Sequence, residues 1–181
     1  MNLNILFILI NKMTIKIAFA GKMGTGKDCA TKYCIKKYSG IHMAFAKPLY
    51  DILHYAQKTC NFPIQKDRKF LQFIGTEWAR EIDQNVWINL VIKNTPTDQN
   101  AFLSDLRFIN EFKALKDNGW TCVKLLRDYS SPDREGTGSA EHISETELDS
   151  IPDEKWDFII ENNDSISKFY QKLESIINEQ Q

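Results

Sequence analysis

The residues GKMGTGKD at positions 21–28 have the types and spacing of a phosphate-binding loop. In the pattern G-x-x-x-x-G-K-[ST], backbone N–H groups surround phosphates, the lysine reaches the β- and γ-phosphates, and the hydroxyl meets Mg²⁺. Lys27 matches the lysine, but Asp28 stands at the hydroxyl position. An acid beside phosphates is repelled unless a cation lies between them, so we expect Asp28 to bind Mg²⁺. The alternative interpretation is a helix-start residue that the helix dipole stabilises.

The segments around this loop are those that must position it. An apolar, β-rich run at 15–20 precedes the loop, and the amphipathic segment KDCATKYCIKKY follows it, which predicts strand, loop and helix. A helix N terminus presents N–H groups and the positive end of the helix dipole to an anion. We therefore assign nucleotide binding to the loop and the first helical turn: Gly21, Gly24, Thr25, Gly26, Lys27, Asp28 and Cys29.

The rest of the chain alternates strands with helices. Apolar runs at 40–46, 100–107, 120–127 and 157–162 predict four more strands, and a long aromatic-rich segment at 68–94 predicts two helices that divide near 83–85. Such alternation indicates a parallel sheet with right-handed crossovers, in which ligands bind beyond the carboxyl ends of the strands.

Charged residues follow several of these strand ends. Asp105 ends the third strand, where a carboxylate orients Mg²⁺ or a substrate group, although an acid there also often caps a turn. Arg107 lies on the same side of the extended chain as Asp105, and Arg127 ends the fourth strand. Because guanidinium is the better bidentate clamp for phosphate, we count these arginines as catalytic candidates together with Lys27 and Asp28.

Two further arginines, Arg68 and Arg80, lie in the aromatic segment. Both are candidates for binding a substrate phosphate, while Arg80 could equally pair with Glu77 or Glu81. The aromatic residues of the segment are more often core than ligand-facing, and Trp87 is the one that we expect to face a ligand.

Length and composition limit the classes of function. The chain has 181 residues, a formal charge of −1 and a pI near 6.3, which suit one domain and disfavour extended nucleic-acid binding. Four cysteines without a C-x-x-C pair indicate neither a zinc site nor a disulfide framework, and they fit a reducing, cytoplasmic compartment. The apolar opening of the chain is far too short for a membrane span.

The apolar opening of the chain and a polar stretch near its end predict the domain boundaries. We expect residues 1–12 to be a dispensable N-terminal extension and residues 13–181 to form a single domain. The polar stretch 128–156, rich in Ser, Gly, Asp and Glu, interrupts the alternation of strands and helices, and we interpret about 128–150 as a lid.

At this point the motifs resemble those of the deoxynucleoside monophosphate kinases of phages and large viruses, over about residues 15–177. The shared motifs include G-K-D at Gly26–Asp28, F-A-x-P at 45–48, the segment RKFLQFIGTEWARE, D-x-R-x-x-x-E in SDLRFINE, and EHISETELD with DFIIENNDS near the end. Tyr50 stands where members often carry lysine.

The resemblance implies a three-layer P-loop kinase fold with a five-stranded parallel sheet in the order 2-3-1-4-5. It implies ATP as phosphate donor and a deoxynucleoside monophosphate (dNMP) as acceptor. From the charge and strand-end arguments above we expect Mg²⁺ to be held by Asp28 and Asp105, and from the composition we expect no nucleic acid or membrane partner. The acceptor residues that the resemblance implies are Arg68, Gly75, Thr76, Trp87, Asp105, Arg107 and Glu111. We add Arg80 to this substrate set because of its place in the aromatic segment. The protein would act in the cytoplasm, that of the host cell if it is viral, as a monomer or a homodimer.

Two other functions stay open at this stage. A phosphomevalonate kinase has the same form of loop, and it would phosphorylate a different small phosphate. A non-catalytic ATP-binding switch would bind ATP without acceptor-dependent turnover, although such a module has no need of the acceptor-side arginines.

Overall fold

The computed structural model describes residues 14–128 and 146–180. Its strands are β1 (Lys16–Ala20), β2 (Ile41–Met43), β3 (Ala101–Leu106), β4 (Thr121–Leu126) and β5 (Phe158–Glu161). They form one sheet in the order β2-β3-β1-β4-β5, and every neighbouring pair is parallel. This confirms the predicted sheet and its order.

The helices connect the strands as crossovers. They are α1 (Lys27–Tyr38), α2 (Lys47–Thr59), α3 (Arg68–Gln72), α4 (Ala79–Ile82), α5 (Val86–Asn94), α6 (Ile109–Asp117) and α7 (Ile166–Asn178). A π-helical turn, Phe73–Trp78, joins α3 to α4, and two 3₁₀ turns, Glu147–Ser150 and Asp153–Lys155, precede β5.

Alternating residues of the central strand bury against two different helical layers. Ile17 and Phe19 face the core formed with α1 and α7, which includes Phe169. Ala18 and Ala20 face the other core, formed with α5 and α6. A parallel sheet that is covered on both faces has apolar strands throughout, which is why β1 has no polar side. The result is the three-layer architecture that the sequence predicts.

The polar stretch at 128–156 is more structured at its end than we expected. Residues 129–145, most of the predicted lid, lie outside the described residues, as do residues 1–12 of the predicted extension. Beyond 145, Ile151 and Trp156 are buried in the core beside α6, and Trp156 packs edge-on against Phe112 with ring centroids 4.7 Å apart. Two large apolar side chains thus anchor a segment that we interpreted from its polar composition alone.

Two further features concern the length of the helices and the state of the cysteines. None of the helices within 14–128 and 146–180 is both long and apolar enough to cross a membrane. Cys29, Cys34, Cys60 and Cys122 are all free thiols.

Candidate functional site

The phosphate loop follows β1 directly and uses glycine where other residues would be strained. Gly24 and Gly26 have positive φ values of 80° and 106°, which L-residues rarely adopt. A Cβ atom on Gly21 would lie 2.4 Å from the carbonyl oxygen of Leu125 on β4. The glycines therefore let the loop turn tightly against the neighbouring strand.

Lys27 is the first residue of α1, and its ammonium group folds back over the loop. Its Nζ donates to the carbonyl oxygens of Gly21 and Lys22, the latter at 2.8 Å. An ammonium in this position lies at the mouth of the loop, next to the backbone N–H groups that would surround a phosphate.

The buried side-chain amide of Asn162 supports the phosphate loop. Asn162, at the end of β5, donates from Nδ2 to the carbonyl oxygen of Thr25 at 2.9 Å, and both residues are buried. The Thr25 hydroxyl in turn donates to the carbonyl oxygen of Lys22 at 2.9 Å. A Cβ atom on Gly26 would lie 2.7 Å from the Asn162 amide nitrogen, so this contact also requires glycine.

The first turn of α1 carries Asp28 and Cys29. The side chain of Asp28 is exposed, and the Cys29 thiol lies 3.6 Å from the hydroxyl oxygen of Tyr170 on α7. Asp28 is therefore accessible to a cation in solution, whereas Cys29 faces the contact between α1 and α7.

Asp105 joins the end of β3 to the loop that follows β2. Its Oδ1 accepts from the backbone N–H of Phe45, and its Oδ2 accepts from that of Ala46, both at 2.9 Å. Burial raises the pKa of this carboxyl, while the two backbone donors act in the opposite direction. Asp105 therefore holds the 45–46 turn at the carboxyl edge of the sheet, in addition to any ligand that its remaining lone pairs accept.

Glu111, in the first turn of α6, contacts Arg80 and the backbone of Arg107 and is almost fully buried. Its Oε2 accepts from the backbone N–H groups of Arg107 and Phe108 at 3.0 and 3.1 Å. Its Oε1 lies 3.2 Å from Nη2 of Arg80, whose guanidinium carbon is 4.5 Å from the centre of the Phe108 ring. The partner of Arg80 is therefore Glu111, and not Glu77 or Glu81.

The environment of Glu111 perturbs its ionisation. Burial raises the pKa of its carboxyl to about 7, and the nearby charge of Asp105 acts in the same direction. The backbone donors and Arg80 lower it, although not enough to compensate for burial.

The segment implied to bind the acceptor contains the π-helical turn. Gly75 is buried there, and a Cβ atom on it would lie 3.3 Å from Leu49 of α2. Thr76 is exposed and donates from its hydroxyl to the carbonyl oxygen of Gln72 at 2.6 Å. π-Turns within helices are frequent at functional sites.

Trp87 is placed differently from our expectation of a ligand-facing ring. It is buried in the core, with 4% of its surface exposed, and its indole N–H donates to the carbonyl oxygen of Gly75 at 2.9 Å. The ring stabilises the π-helical turn, because a buried indole N–H needs an acceptor and the wide turn provides one.

The two remaining arginines lie near the ends of the site. Arg68 is exposed at the start of α3, where Asp67 caps the helix by accepting from Phe70 N. Arg127 follows β4, and its Nη1 is 3.4 Å from the carbonyl oxygen of Gly24 in the phosphate loop. Arg127 is thus brought to the loop, whereas Arg68 is not held against either of the cavities described next.

Two cavities open at this edge of the sheet. The loop cavity, about 560 Å³, is lined by the phosphate loop and by the ends of β4 and β5, including Gly21, Lys22, Thr25, Arg127 and Asn163. The arginine cavity, about 710 Å³, is lined by Thr76, Arg80, Phe108 and the start of α6. The structure therefore places two concave sites beside one another, one at the phosphate loop and one at the Arg80–Glu111 pair.

The donor chemistry near the loop suits Mg²⁺ bound together with phosphates. Within residues 14–128 and 146–180, no three His, Cys, Asp or Glu side chains form a cluster for a metal ion. The exposed carboxylate of Asp28 is a hard oxygen donor of the kind that Mg²⁺ prefers when phosphates and waters provide its other ligands. The residues present therefore fit a metal that arrives with a nucleotide.

The sheet order, the phosphate loop and the lysine that opens α1 define a P-loop kinase. The fold agrees with that of solved kinases, such as shikimate kinase from Acinetobacter baumannii in complex with shikimate. That structure has a TM-score of 0.52 and 15% sequence identity over 93% of this chain and 96% of the other. At this identity the likeness concerns the fold alone.

The family is given by the sequence matches. The profile of the deoxynucleotide monophosphate kinase family matches residues 61–173. The chain is 36% identical to an uncharacterised protein of Ictalurid herpesvirus 1 (strain Auburn), over 76% of this chain but only 60% of that protein. It is 27% identical to a protein of Acanthamoeba polyphaga mimivirus that is provisionally named a deoxynucleotide monophosphate kinase, over 91% of this chain and 96% of that one. The protein belongs to the deoxynucleotide monophosphate kinase family, as its motifs predict.

Sequence reasoning did not single out two residues that the structure brings to the site. Asn162 supports the phosphate loop. The sequence places it at the end of a predicted strand and within the motif DFIIENNDS, but neither signal assigns it to the loop. Glu147 lies in the polar stretch, where nothing in the composition separates it from the neighbouring acids; its carboxylate accepts from the first N–H of α6 at 2.8 Å.

Proposed function

We propose that the protein transfers the γ-phosphoryl group of ATP to a deoxynucleoside 5′-monophosphate and releases ADP and a deoxynucleoside diphosphate. The observation that carries this proposal is the pair of cavities at one sheet edge, one built on the phosphate loop and the other on Arg80. A kinase for a phosphorylated acceptor needs a site of each kind. The family membership supports the choice of acceptor.

In the proposed reaction an oxygen of the acceptor phosphate attacks the γ-phosphorus of ATP. The bond from that phosphorus to the β–γ bridging oxygen breaks, and ADP leaves with the electron pair. No general base is required, because the second pKa of a phosphate monoester is about 6 and the acceptor is already ionised at neutral pH. The protein therefore contributes orientation and positive charge.

Each side of the site has a separate task in this proposal. Lys27, the loop N–H groups and Arg127 bind the donor phosphates in this proposal. The Lys27 ammonium and the Arg127 guanidinium both contact carbonyl oxygens of the phosphate loop, which places their charges beside it. When Mg²⁺ is bound, it neutralises charge on the donor phosphates, with Asp28 and Asp105 as the residues that would hold it directly or through water.

The acceptor phosphate is bound by arginines in this proposal. Arg80 is held by Glu111 through one of its nitrogens, which leaves other guanidinium N–H groups to face the arginine cavity. Arg107 lies two residues after Asp105 at the same edge. Arg68, at the start of α3, lines neither cavity, and its place in the acceptor set rests on the resemblance of its motif to that of the family. Gly75, Thr76 and Trp87 shape the π-helical turn that carries this side of the site.

An acceptor panel tests the proposal. Purified protein with Mg²⁺ and ATP is assayed for ADP release with each dNMP, each ribonucleotide monophosphate and phosphomevalonate, and the products are separated by ion-exchange chromatography. We expect turnover with at least one dNMP and formation of the matching diphosphate. Turnover with phosphomevalonate alone would establish the other kinase activity, and ATP binding without any acceptor-dependent turnover would indicate a binding module.

A further inference from the structure

The 3₁₀ turn Glu147–Ser150 lies between the two cavities. Glu147 lines the arginine cavity, and the next two residues, Leu148 and Asp149, line the loop cavity. The turn is internally braced, because Ser150 Oγ donates to the carbonyl oxygen of Glu147 at 2.8 Å and Ile151 N donates to that of Leu148 at 3.1 Å. Three consecutive residues, 147–149, thus form a wall shared by both sites.

On the arginine-cavity side, the turn is attached to the start of α6. Glu147 Oε1 accepts from the backbone N–H of Ile109, the first residue of that helix, at 2.8 Å. The two preceding backbone N–H groups, of Arg107 and Phe108, are bound by Glu111. Three consecutive donors at this helix start are therefore fixed by two carboxylates, one of which also holds Arg80.

On the loop-cavity side, the turn contacts the phosphate loop itself. The Asp149 carboxylate lies 3.3 Å from Nζ of Lys22, and the side chains of both residues are about half exposed. Nucleotide phosphates bound at the loop would compete with Asp149 for this ammonium group. The charge of Asp149 would in addition repel them.

We propose that the turn Glu147–Ser150 acts on both substrate sites through its two acids. Glu147 is a positioning residue, which fixes the start of α6 and with it the Arg80–Glu111 pair, and Asp149 weakens nucleotide binding by competing for Lys22. This inference rests on the proposed function for the identity of the acceptor. The assignment of Asp149 to nucleotide binding stands without it.

Glu147 is tested by a pair of variants. Glu147→Ala removes the acceptor for Ile109 N, and we expect the KM for the dNMP to rise roughly fivefold, with the KM for ATP unchanged. This factor corresponds to the free energy of one helix cap when its loss acts entirely on the acceptor site. Glu147→Gln keeps an oxygen acceptor and should restore most of the affinity for the dNMP. A parallel rise of both KM values in Glu147→Ala, or no rescue by glutamine, would overturn the role of Glu147.

Asp149 is tested independently, because it is exposed and its replacement leaves the core intact. We expect Asp149→Asn to tighten ATP binding by roughly twofold to fivefold at low ionic strength, the range for an exposed ion pair, and to lose this advantage at high salt. Asp117→Asn, an exposed acid at the far end of α6, is the control for the change in net charge. Unchanged ATP affinity in Asp149→Asn at low salt, or an equal gain in the control, would refute the competition for Lys22.

Failure of the proposed function and failure of the inference about the turn Glu147–Ser150 give different experimental results. ATP binding by titration calorimetry tests Asp149 whether or not a dNMP is phosphorylated. A wild-type protein that releases no ADP with any dNMP would refute the proposed function. A wild-type protein that turns over while its Glu147 variants behave normally would refute the role of the turn.

Discussion

Nη2 of Arg80 lies 3.2 Å from Oε1 of Glu111, and this ion pair joins two parts of the chain that are distant in sequence. Arg80 belongs to the short helix after the π-helical turn, and Glu111 belongs to the first turn of α6, where it also binds the backbone of Arg107. Because Glu111 is buried and Arg80 lines a cavity, the pair presents a fixed cation to whatever binds there.

The pair predicts a pH dependence of acceptor binding. Burial raises the pKa of Glu111 to about 7, and only the ionised carboxylate attracts Arg80 by charge. We expect kcat/KM for the acceptor to rise as pH increases through about 7, and Glu111→Gln to lower it and to flatten this rise. The ionisation of the acceptor phosphate is common to both proteins, so the ratio of their pH profiles isolates Glu111. Identical profile shapes would contradict the assignment.

The contribution of Glu111 to the free energy of unfolding should fall as pH rises, whereas its contribution to acceptor binding should increase. The folded pKa of Glu111 is raised above its ordinary value of 4.5, so the native state binds more protons than the unfolded state between these values. The stabilisation is therefore fully present below about 4.5 and is lost as pH rises through about 7. We expect Glu111→Gln to gain thermal stability relative to the parent on going from pH 5 to pH 8, as measured by calorimetric unfolding at both values.

A variant of Asn162 tests the phosphate loop without changing the residues proposed to bind the acceptor. Its amide is the donor to the carbonyl oxygen of Thr25, and replacement by alanine leaves that buried oxygen without this partner. Such a loss costs about 1–3 kcal/mol. We expect Asn162→Ala to lower the melting temperature and raise the KM for ATP, with ADP added in excess restoring part of the stability. An increase in the KM for the acceptor alone would contradict this role.

The sheet was predictable because its signals are local and repeated. Apolar runs mark each strand, and the glycine loop after the first strand identifies both the edge where ligands bind and the position of Lys27. The order of the strands comes instead from the resemblance to a known kinase family. Even the break between α4 and α5 agrees with its prediction at 83–85, since Asp83 ends the first helix in an extended conformation.

The partners of the charged residues could not be predicted in the same way. Arg80 has acids within one turn of its own helix, yet it pairs with a residue 31 positions away, because only the fold decides which acid is buried beside it. Trp87 has the same helical spacing whether it faces a ligand or the core, and it is the wide π-helical turn that gives its N–H an acceptor. Glu147 caps a helix 38 residues earlier, a contact with no sequence signature.

We expect the acceptor-side arginines to affect the reaction with the dNMP, whereas residues of the phosphate loop affect ATP binding. Arg107 follows Asp105 at the carboxyl edge, and Arg68 opens α3 beside the π-helical turn. We expect Arg107→Ala or Arg68→Ala to lower kcat/KM for the dNMP while ATP affinity changes little, since cutting one partner of a charge contact that the bound acceptor buries costs roughly 2–5 kcal/mol. The effect should be smaller for Arg68, which is exposed. Loss of ATP affinity with intact acceptor affinity would reverse the assignment.

Asp28 provides the sharpest test of metal binding, because its side chain is exposed in the first turn of α1 beside Lys27. The helix dipole favours an acid there by roughly 0.3–1 kcal/mol. Repulsion between that acid and a phosphate charge about 4 Å away is near 4 kcal/mol at an effective dielectric of 20, so the electrostatic penalty exceeds the benefit unless a cation lies between them.

We therefore expect Asp28→Asn to raise the Mg²⁺ concentration for half-maximal activity and to bind metal-free ATP more tightly than the parent does. Asp28→Ser, which restores the usual hydroxyl of this loop, should keep a Mg²⁺ requirement while also removing the repulsion of metal-free ATP. Titration calorimetry with ATP in the presence of EDTA, and activity titrations with Mg²⁺, measure the two effects separately. If Asp28→Asn lowered only the melting temperature and left the Mg²⁺ dependence unaltered, Asp28 would act solely at the start of the helix, because a ligand of the metal cannot be replaced without changing the affinity for it.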